Sequence, residues 1–197
     1  MTLDAFRPQV AGVLDLLVRV ALFLRVTPNL LSALSFFLAL AGGLLYAAGW
    51  VLGGLVCVAA NSVFDAVDGA LARAMGQQGP RGDFLDHAID RYADIFIITG
   101  VFAGGAASWQ VGVFALTGVL MSSYLGTQAQ AVGVGRYYGG LLGRADRLVL
   151  LMAASVLDIA VGAPVWGLPF LGWTLVLFGV LGHFTALQRF LWVWNRV

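Results

Sequence analysis

The chain has 197 residues, 60% hydrophobic and 11% charged, with a mean hydropathy of +0.91 and a formal net charge of +1. Soluble domains carry about 25% charged residues, so the composition excludes a water-soluble globular domain and indicates a polytopic, all-α membrane protein. The balanced charge singles out no partner, and no nucleic acid is expected. Every basic residue is Arg and every acidic residue is Asp, which we read as the codon usage of a GC-rich genome. Cys57 is the single cysteine, so no intrachain disulfide or cysteine-rich metal cluster can form; its setting, "LVCVAA", suits a small packing residue. Asp4 and Arg7 precede a long amphipathic stretch, so no cleavable signal peptide is expected.

Residues 1–26 predict an amphipathic helix lying in the membrane interface. Phe6, Val10, Val13, Leu14, Leu17 and Val20 recur at helical spacing, with Asp15 and Arg19 paired on the other face. Thr27 is the expected N-cap of the next helix and Pro28 its first-turn residue. Six apolar stretches then reach the length of about 20 residues that a span requires. They fall near 29–48, 52–74, 84–104, 110–133, 145–162 and 168–190, making a six-helix transmembrane bundle over 29–190 within a single domain, 1–197. The connections "GWVLGG", "GGAASWQ" and "VGAPVWGLP" fall on one side and hold at most Asp158 as a charge. "AMGQQGPRG", "GVGRYYGGLLGR" and both termini fall on the other, on or near which all the arginines lie. Short Arg-rich loops stay cytoplasmic, so both termini are expected inside a plasma-membrane, multi-pass protein.

Against this apolar background, "DAVDGALARAMGQQGPRGDFLDHAID" stands out. Asp65 and Asp68 are three apart near the end of the second span; Asp86 and Asp90 are four apart at the start of the third. Each spacing places its pair on one helical face. A short loop makes the two spans antiparallel neighbours, so four carboxylates converge. Unpaired, they would repel one another. One or two divalent cations remove that penalty, and carboxylate oxygens suit Mg²⁺, Mn²⁺ or Ca²⁺. Gly69 leaves the helix surface bare for a close approach, and Arg73, four residues on, offers a phosphate its fork of donors. Gly79, Pro80 and Gly82 are expected to break the helix, and Asp83 to cap the next. Intramembrane Asp–Arg pairing alone would account for one or two of the aspartates, not for four beside a glycine.

The full pattern, Asp65-x2-Asp68-Gly69-x2-Ala72-Arg73-x8-Gly82-x3-Asp86-x3-Asp90, resembles the signature of the CDP-alcohol phosphotransferases at every position and gap. The resemblance implies transfer of a phosphatidyl-type group from a CDP-linked lipid to a small alcohol, with release of CMP. It implies two Mg²⁺ or Mn²⁺ ions held by Asp65, Asp68, Asp86 and Asp90, with Asp90 also the base for the acceptor hydroxyl. Gly69, Arg73, Gly79 and the Pro28, Asn29, Leu30, Leu31 turn would contact the CDP-lipid. A cytoplasmic active site, a membrane-lipid setting and a homodimer are further implications.

Arg136, Arg144, Arg147 and Arg189 mark the same ends of the last three spans as the aspartates. They predict a basic pocket for a phosphorylated acceptor, with positive-inside anchoring as the plainer reading. "SVFDAVDGALAR" and "DHAIDRYAD" are most similar to archaeal and actinobacterial inositol-phosphate lipid synthases, which implies L-myo-inositol 1-phosphate as acceptor. Gly126, Thr127 and Gln128 depart from the basic residues that bacterial enzymes of that kind tend to carry, which leaves serine or another alcohol without a phosphate open; glycerol 3-phosphate is a further alternative acceptor for the same chemistry. Asp94 is expected to pair with Arg91 or a polar neighbour, His87 to have no catalytic role, and His183 to be a polar packing residue. Trp50, Trp109, Trp166, Trp192 and Trp194 lie near the predicted interfaces, as an aromatic belt would place them. Gly100-x3-Gly104 suits close helix packing. A small cation transporter is the competing class; the almost purely apolar outer halves of the spans argue against it.

Overall fold

The computed structural model describes residues 7–197, and these form seven helices. They are α1 (Arg7–Phe23), α2 (Pro28–Ala47), α3 (Val51–Ala74), α4 (Pro80–Ala103), α5 (Trp109–Ala131), α6 (Arg144–Val161) and α7 (Phe170–Trp194). Local signals set most boundaries. Thr27 accepts the Leu30 amide and Pro28 opens α2. Ser108 caps α5 by accepting the Val111 amide. Asp146 accepts the Gly143 amide at the start of α6. Asp158, near the end of α6, caps α7 from outside by accepting the amides of Phe170 and Leu171 at 2.6 and 3.0 Å.

One boundary differs from the sequence reading. The break between α3 and α4 lies at Gly76–Gly79, where Gly76 takes a left-handed φ of 62°. Pro80 occupies the first turn of α4, where its missing amide costs nothing, and Gly82 lies inside the helix. Asp83 is therefore a first-turn residue and not a cap; the N-cap position belongs to Gly79.

The six helices α2–α7 close into a ring in the order α2, α4, α5, α7, α6, α3, and α1 packs on the outside against α3. Small residues allow the closest approaches. A side chain at Gly100 would collide with the Gly43 backbone, and one at Gly104 with the Tyr46 carbonyl, so the Gly100/Gly104 pair seats α4 on α2. Gly118 and Gly182 do the same for α5 on α7. The core between them gathers Tyr46, Val58, Ile97, Val101, Val119, Leu151, Leu175 and Phe178.

α1 packs on the bundle with only part of its apolar surface. Its bundle-facing stripe is Leu14, Leu17, Val18 and Ala21, packed on Leu31, Val67 and Leu71. Val13 and Val20 point away from the bundle, 61% and 46% exposed. The packing stripe shares Leu14 and Leu17 with the apolar face expected from periodicity, whose Val13 and Val20 lie on its outward side. Residues 1–6, including Phe6, lie outside the described residues. Three helices, α2, α3 and α7, are each long and apolar enough to cross a membrane. α4 and α6 carry charged residues within their length: Arg81, Asp83, Asp86, Asp90, Arg91 and Asp94 in one, and Arg144, Asp146, Arg147 and Asp158 in the other.

Candidate active site

The C-terminal half of α3 and the N-terminal half of α4 bring the signature aspartates together. Arg144, the first residue of α6, reaches between them: its Nη1 lies 2.6 Å from Asp65 Oδ2 and 2.8 Å from Asp90 Oδ1. One nitrogen thus bridges carboxylates of two helices. Asp68 and Asp86 lie within electrostatic range of Asp65. Asp68 and Asp90 are buried, at 6% and 7% exposure. Asp90 Oδ1, though close to Arg144, makes no hydrogen bond of proper geometry. Arg144, with Arg91 Nη2 3.7 Å from Asp90 Oδ2, does not neutralise four carboxylates. Their hard oxygens, converging with an orphaned acceptor among them, fit a divalent cation. Among the described residues, donor atoms of Asp86, His87 and Asp90 all lie within 4.8 Å of one another. His87 Nε2 sits 3.4 Å from Asp83 but makes no hydrogen bond of proper geometry, so it too is an orphaned atom beside the carboxylates.

Beside this centre lies a pocket lined by Asp90, Arg91, Ser123, Gly126, Thr127, Tyr137, Tyr138 and, with them, Arg136, Arg144, Arg147 and Arg189. The four arginines singled out by sequence thus meet at one place, joined by Arg91. Their existing bonds distinguish them. Arg147 pairs with Asp94 at 3.0 Å, and Arg91 lies 3.4 Å from the same carboxylate, which places Asp94 in the pairing role expected of it. Arg189 donates to the carbonyls of Ser122, Gly139 and Tyr138, fastening the α5–α6 loop to α7. Arg136 clamps Asp83 with two bonds of 2.9 and 3.2 Å and reaches the Tyr138 hydroxyl. This clamp holds the Asp83 carboxyl below its ordinary range and raises the Arg136 guanidinium above its own. Buried donors remain unpartnered on Arg91 Nε, Arg136 Nε, Arg144 Nε and Nη2, and Arg147 Nε. Such groups are costly to bury unsatisfied, and together they form a ready receptor for an anion.

The predicted donor-side residues surround the same end. Arg73 is exposed at the close of α3, with its guanidinium over Gly69, where a Cβ would stand 3.5 Å from Nη1. Gly79 is exposed, with open space around it. In the Pro28–Leu31 turn, Asn29 and Leu30 are exposed, whereas the Leu31 side chain is buried among α1 and α3, leaving only its backbone to face a ligand. His183 stacks on Phe114 and contacts Thr117, a packing role.

The sequence reading missed two contributors. Arg91 follows Asp90 directly but had been considered only as a partner for Asp94. Ser32 donates to Asp68 at 2.6 Å from α2; its signal was a polar residue one turn beyond Pro28 in an apolar helix.

Residues 25–185 match the CDP-alcohol phosphatidyltransferase family. The archaetidylinositol phosphate synthase of Methanothermobacter thermautotrophicus is 32% identical over 196 residues, covering 99% of this chain and 95% of its own. The crystal structure of Mycobacterium tuberculosis phosphatidylinositol phosphate synthase with CDP-DAG bound superposes with a TM-score of 0.80 at 27% identity, covering 93% of this chain and 94% of that one. A structure of the same enzyme in complex with manganese and citrate gives a TM-score of 0.79 at 28% identity, covering 90% of this chain and 87% of that one.

Proposed function

The chain belongs to the CDP-alcohol phosphatidyltransferase family, and on that premise we propose that it joins a CDP-linked lipid to an inositol phosphate, releasing CMP. The observation that carries the acceptor class is the pocket in which Asp90 stands beside Arg91, Arg136, Arg144, Arg147 and Arg189. A pocket with unpartnered guanidinium donors favours an acceptor that carries its own phosphate over serine. Relatives that act in inositol-phosphate lipid synthesis support inositol 1-phosphate over glycerol 3-phosphate.

The acceptor hydroxyl oxygen attacks the lipid-side phosphorus of the donor. The bond from that phosphorus to the bridging oxygen breaks, and CMP leaves with the electron pair. Asp90 takes the hydroxyl proton, Arg147 and Arg91 hold the acceptor's anionic group, and Arg73 with bare Gly69 receives the diphosphate. Divalent metal ions, two by the count of carboxylates, held by Asp65, Asp68, Asp86 and Asp90, would neutralise charge on the phosphoryl oxygens. Arg144 stands between the two sub-sites and orients both.

Helices α2–α7 carry the six spans, the one in α4 beginning after Asp83, with α1 in the cytoplasmic interface and the aspartate end facing the cytoplasm. The support is the one-sided clustering of Arg73, Arg81, Arg136, Arg144, Arg147, Arg189 and Arg196 at alternate helix ends. Single cysteines at Ser108 and Gln77, in a Cys57→Ala background, should label from opposite sides of intact membranes; labelling from one side would overturn this topology. For the chemistry, CMP release is measured with diacylglycerol and archaeol donors against L-myo-inositol 1-phosphate, glycerol 3-phosphate, free inositol and serine, with Mg²⁺, Mn²⁺ or chelator. Turnover with the phosphorylated inositol, abolished by chelator, is the expected result. Preference for serine or free inositol would sink the proposal.

A further inference from the structure

We infer that Ser32 is a positioning residue for the carboxylate centre: its hydroxyl fixes which oxygen of Asp68 faces the metal. The inference rests on the divalent-metal reading above and adds a third helix, α2, to that centre. Ser32 Oγ donates to Asp68 Oδ2 at 2.6 Å, and both residues are buried. Several helical hydroxyls bond back to the carbonyl one turn earlier: Ser62 to Val58, Thr117 to Val113, Ser155 to Leu151 and Thr174 to Phe170, at 2.8–2.9 Å. Ser32 is also within hydrogen-bond reach of its own earlier carbonyl, of Pro28, but at a longer 3.2 Å. A hydroxyl has one proton to give, and an O–H to carboxylate bond near 2.6 Å is of the short, charge-assisted kind. The proton therefore goes to Asp68. With Oδ2 held, Oδ1 is the oxygen left for a cation. The same bond ties the opening turn of α2, proposed to receive the donor, to a metal-binding carboxylate.

Ser32 is not what fastens α2 to α3. That is done one turn deeper, where the Asn61 side chain donates to Ser35 O at 2.9 Å and to Ser35 Oγ at 2.7 Å. Asn61 and Ser35 are both fully buried, at 0% exposure. The two polar contacts therefore divide the work: Asn61–Ser35 sets the helix pair, and Ser32 sets Asp68.

The test is Mn²⁺ binding to the full-length protein in detergent, followed by electron paramagnetic resonance titration alongside thermal unfolding. Ser32→Ala should weaken Mn²⁺ binding by about tenfold to a hundredfold, the usual cost of removing a partner that orients a metal ligand, and Ser32→Thr should restore it. Ser32→Cys keeps the volume with a much weaker donor, and carries the same expectation as Ala if the Ala variant does not fold. Asn61→Ala should instead lower the unfolding midpoint and leave Mn²⁺ affinity alone. Wild-type Mn²⁺ affinity in the Ala or Cys variant, or a Thr variant as weak as Ala, overturns the role of Ser32. Absence of Mn²⁺ binding by the wild-type protein is a different result: it overturns the metal reading itself, and Ser32 with it.

Discussion

The two ends of the helix ring treat buried polar groups in opposite ways. At the far end, both Asp158 oxygens accept backbone amides of α7, and the Tyr46 and Ser155 hydroxyls pair with each other at 2.8 Å. The larger cavity is at this end, about 380 Å³, walled mainly by Gly, Ala and Pro residues. At the near end the pocket is smaller, about 120 Å³, yet it holds five arginines, four of them with unpartnered donors, and an orphaned Asp90 oxygen. Buried polar groups are normally satisfied. Where they are, as around Asp158, they build structure. Where they are not, a ligand is the group that completes them. Unsatisfied chemistry, not cavity size, therefore marks the active end.

The sharpest way to break this contrast is at Asp90. Asp90→Asn keeps the shape and removes the base, and turnover should fall by about a hundredfold to ten-thousandfold, the range that a positioned base contributes, with the protein still folded. An active Asn variant would move the base elsewhere. Next in size is Arg147→Gln. Charge-assisted bonds are worth about 1.5–3 kcal/mol, so acceptor KM should rise roughly tenfold to a hundredfold while donor KM holds. Arg189→Gln should differ, lowering the unfolding midpoint as well, because its bonds to three carbonyls anchor the pocket loop. If the two variants behave alike, the division between ligand-facing and loop-holding arginines fails.

At the far end, Asp158→Ala strips two amides of their acceptor and should cost about 1–3 kcal/mol of stability. Both KM values and kcat should stay at wild-type levels, as steady-state kinetics on the surviving protein would check. The smallest effect is expected at Asp83. Its carboxyl is held below the ordinary range by Arg136. The pair therefore stabilises the fold above the unfolded carboxyl pKa of about 4, and that contribution is lost as pH falls through the lower folded value. Because Asp83 is 54% exposed, only a slight loss of stability in Asp83→Asn is expected at neutral pH. The difference from wild type should vanish in acid, as unfolding midpoints across pH would show.

How far the site could be read in advance depended on sequence distance. Asp65 with Asp68, and Asp86 with Asp90, are neighbours along single helices, and helical spacing alone places each pair on a face. Thr27 and Pro28 open α2 by bonds and dihedrals local to four residues. Asp83 defeated the same style of reasoning: a first-turn position looked like a cap, but its partner, Arg136, lies 53 residues away. Which apolar residues of α1 would meet α3 was likewise not legible, because the bundle and not the helix's own repeat decides it.

The sequence by itself determined the membrane character, the helix count and the carboxylate pairs, because hydropathy and the 3.6-residue repeat act within one element. Only the tertiary structure decided which arginine meets which acid. A guanidinium serves equally as anchor, as loop clamp to carbonyls or as anion receptor, and the choice depends on which groups the other helices bring within about 3 Å. Arg189 became a clamp because the α5–α6 loop folds the Gly139 and Tyr138 carbonyls onto it; Arg144 became a bridge because α6 starts where α3 and α4 present Asp65 and Asp90. Ser32 entered the site for the same reason: the ring order sets α2 against α3, and a hydroxyl that would have bonded its own helix found Asp68 closer.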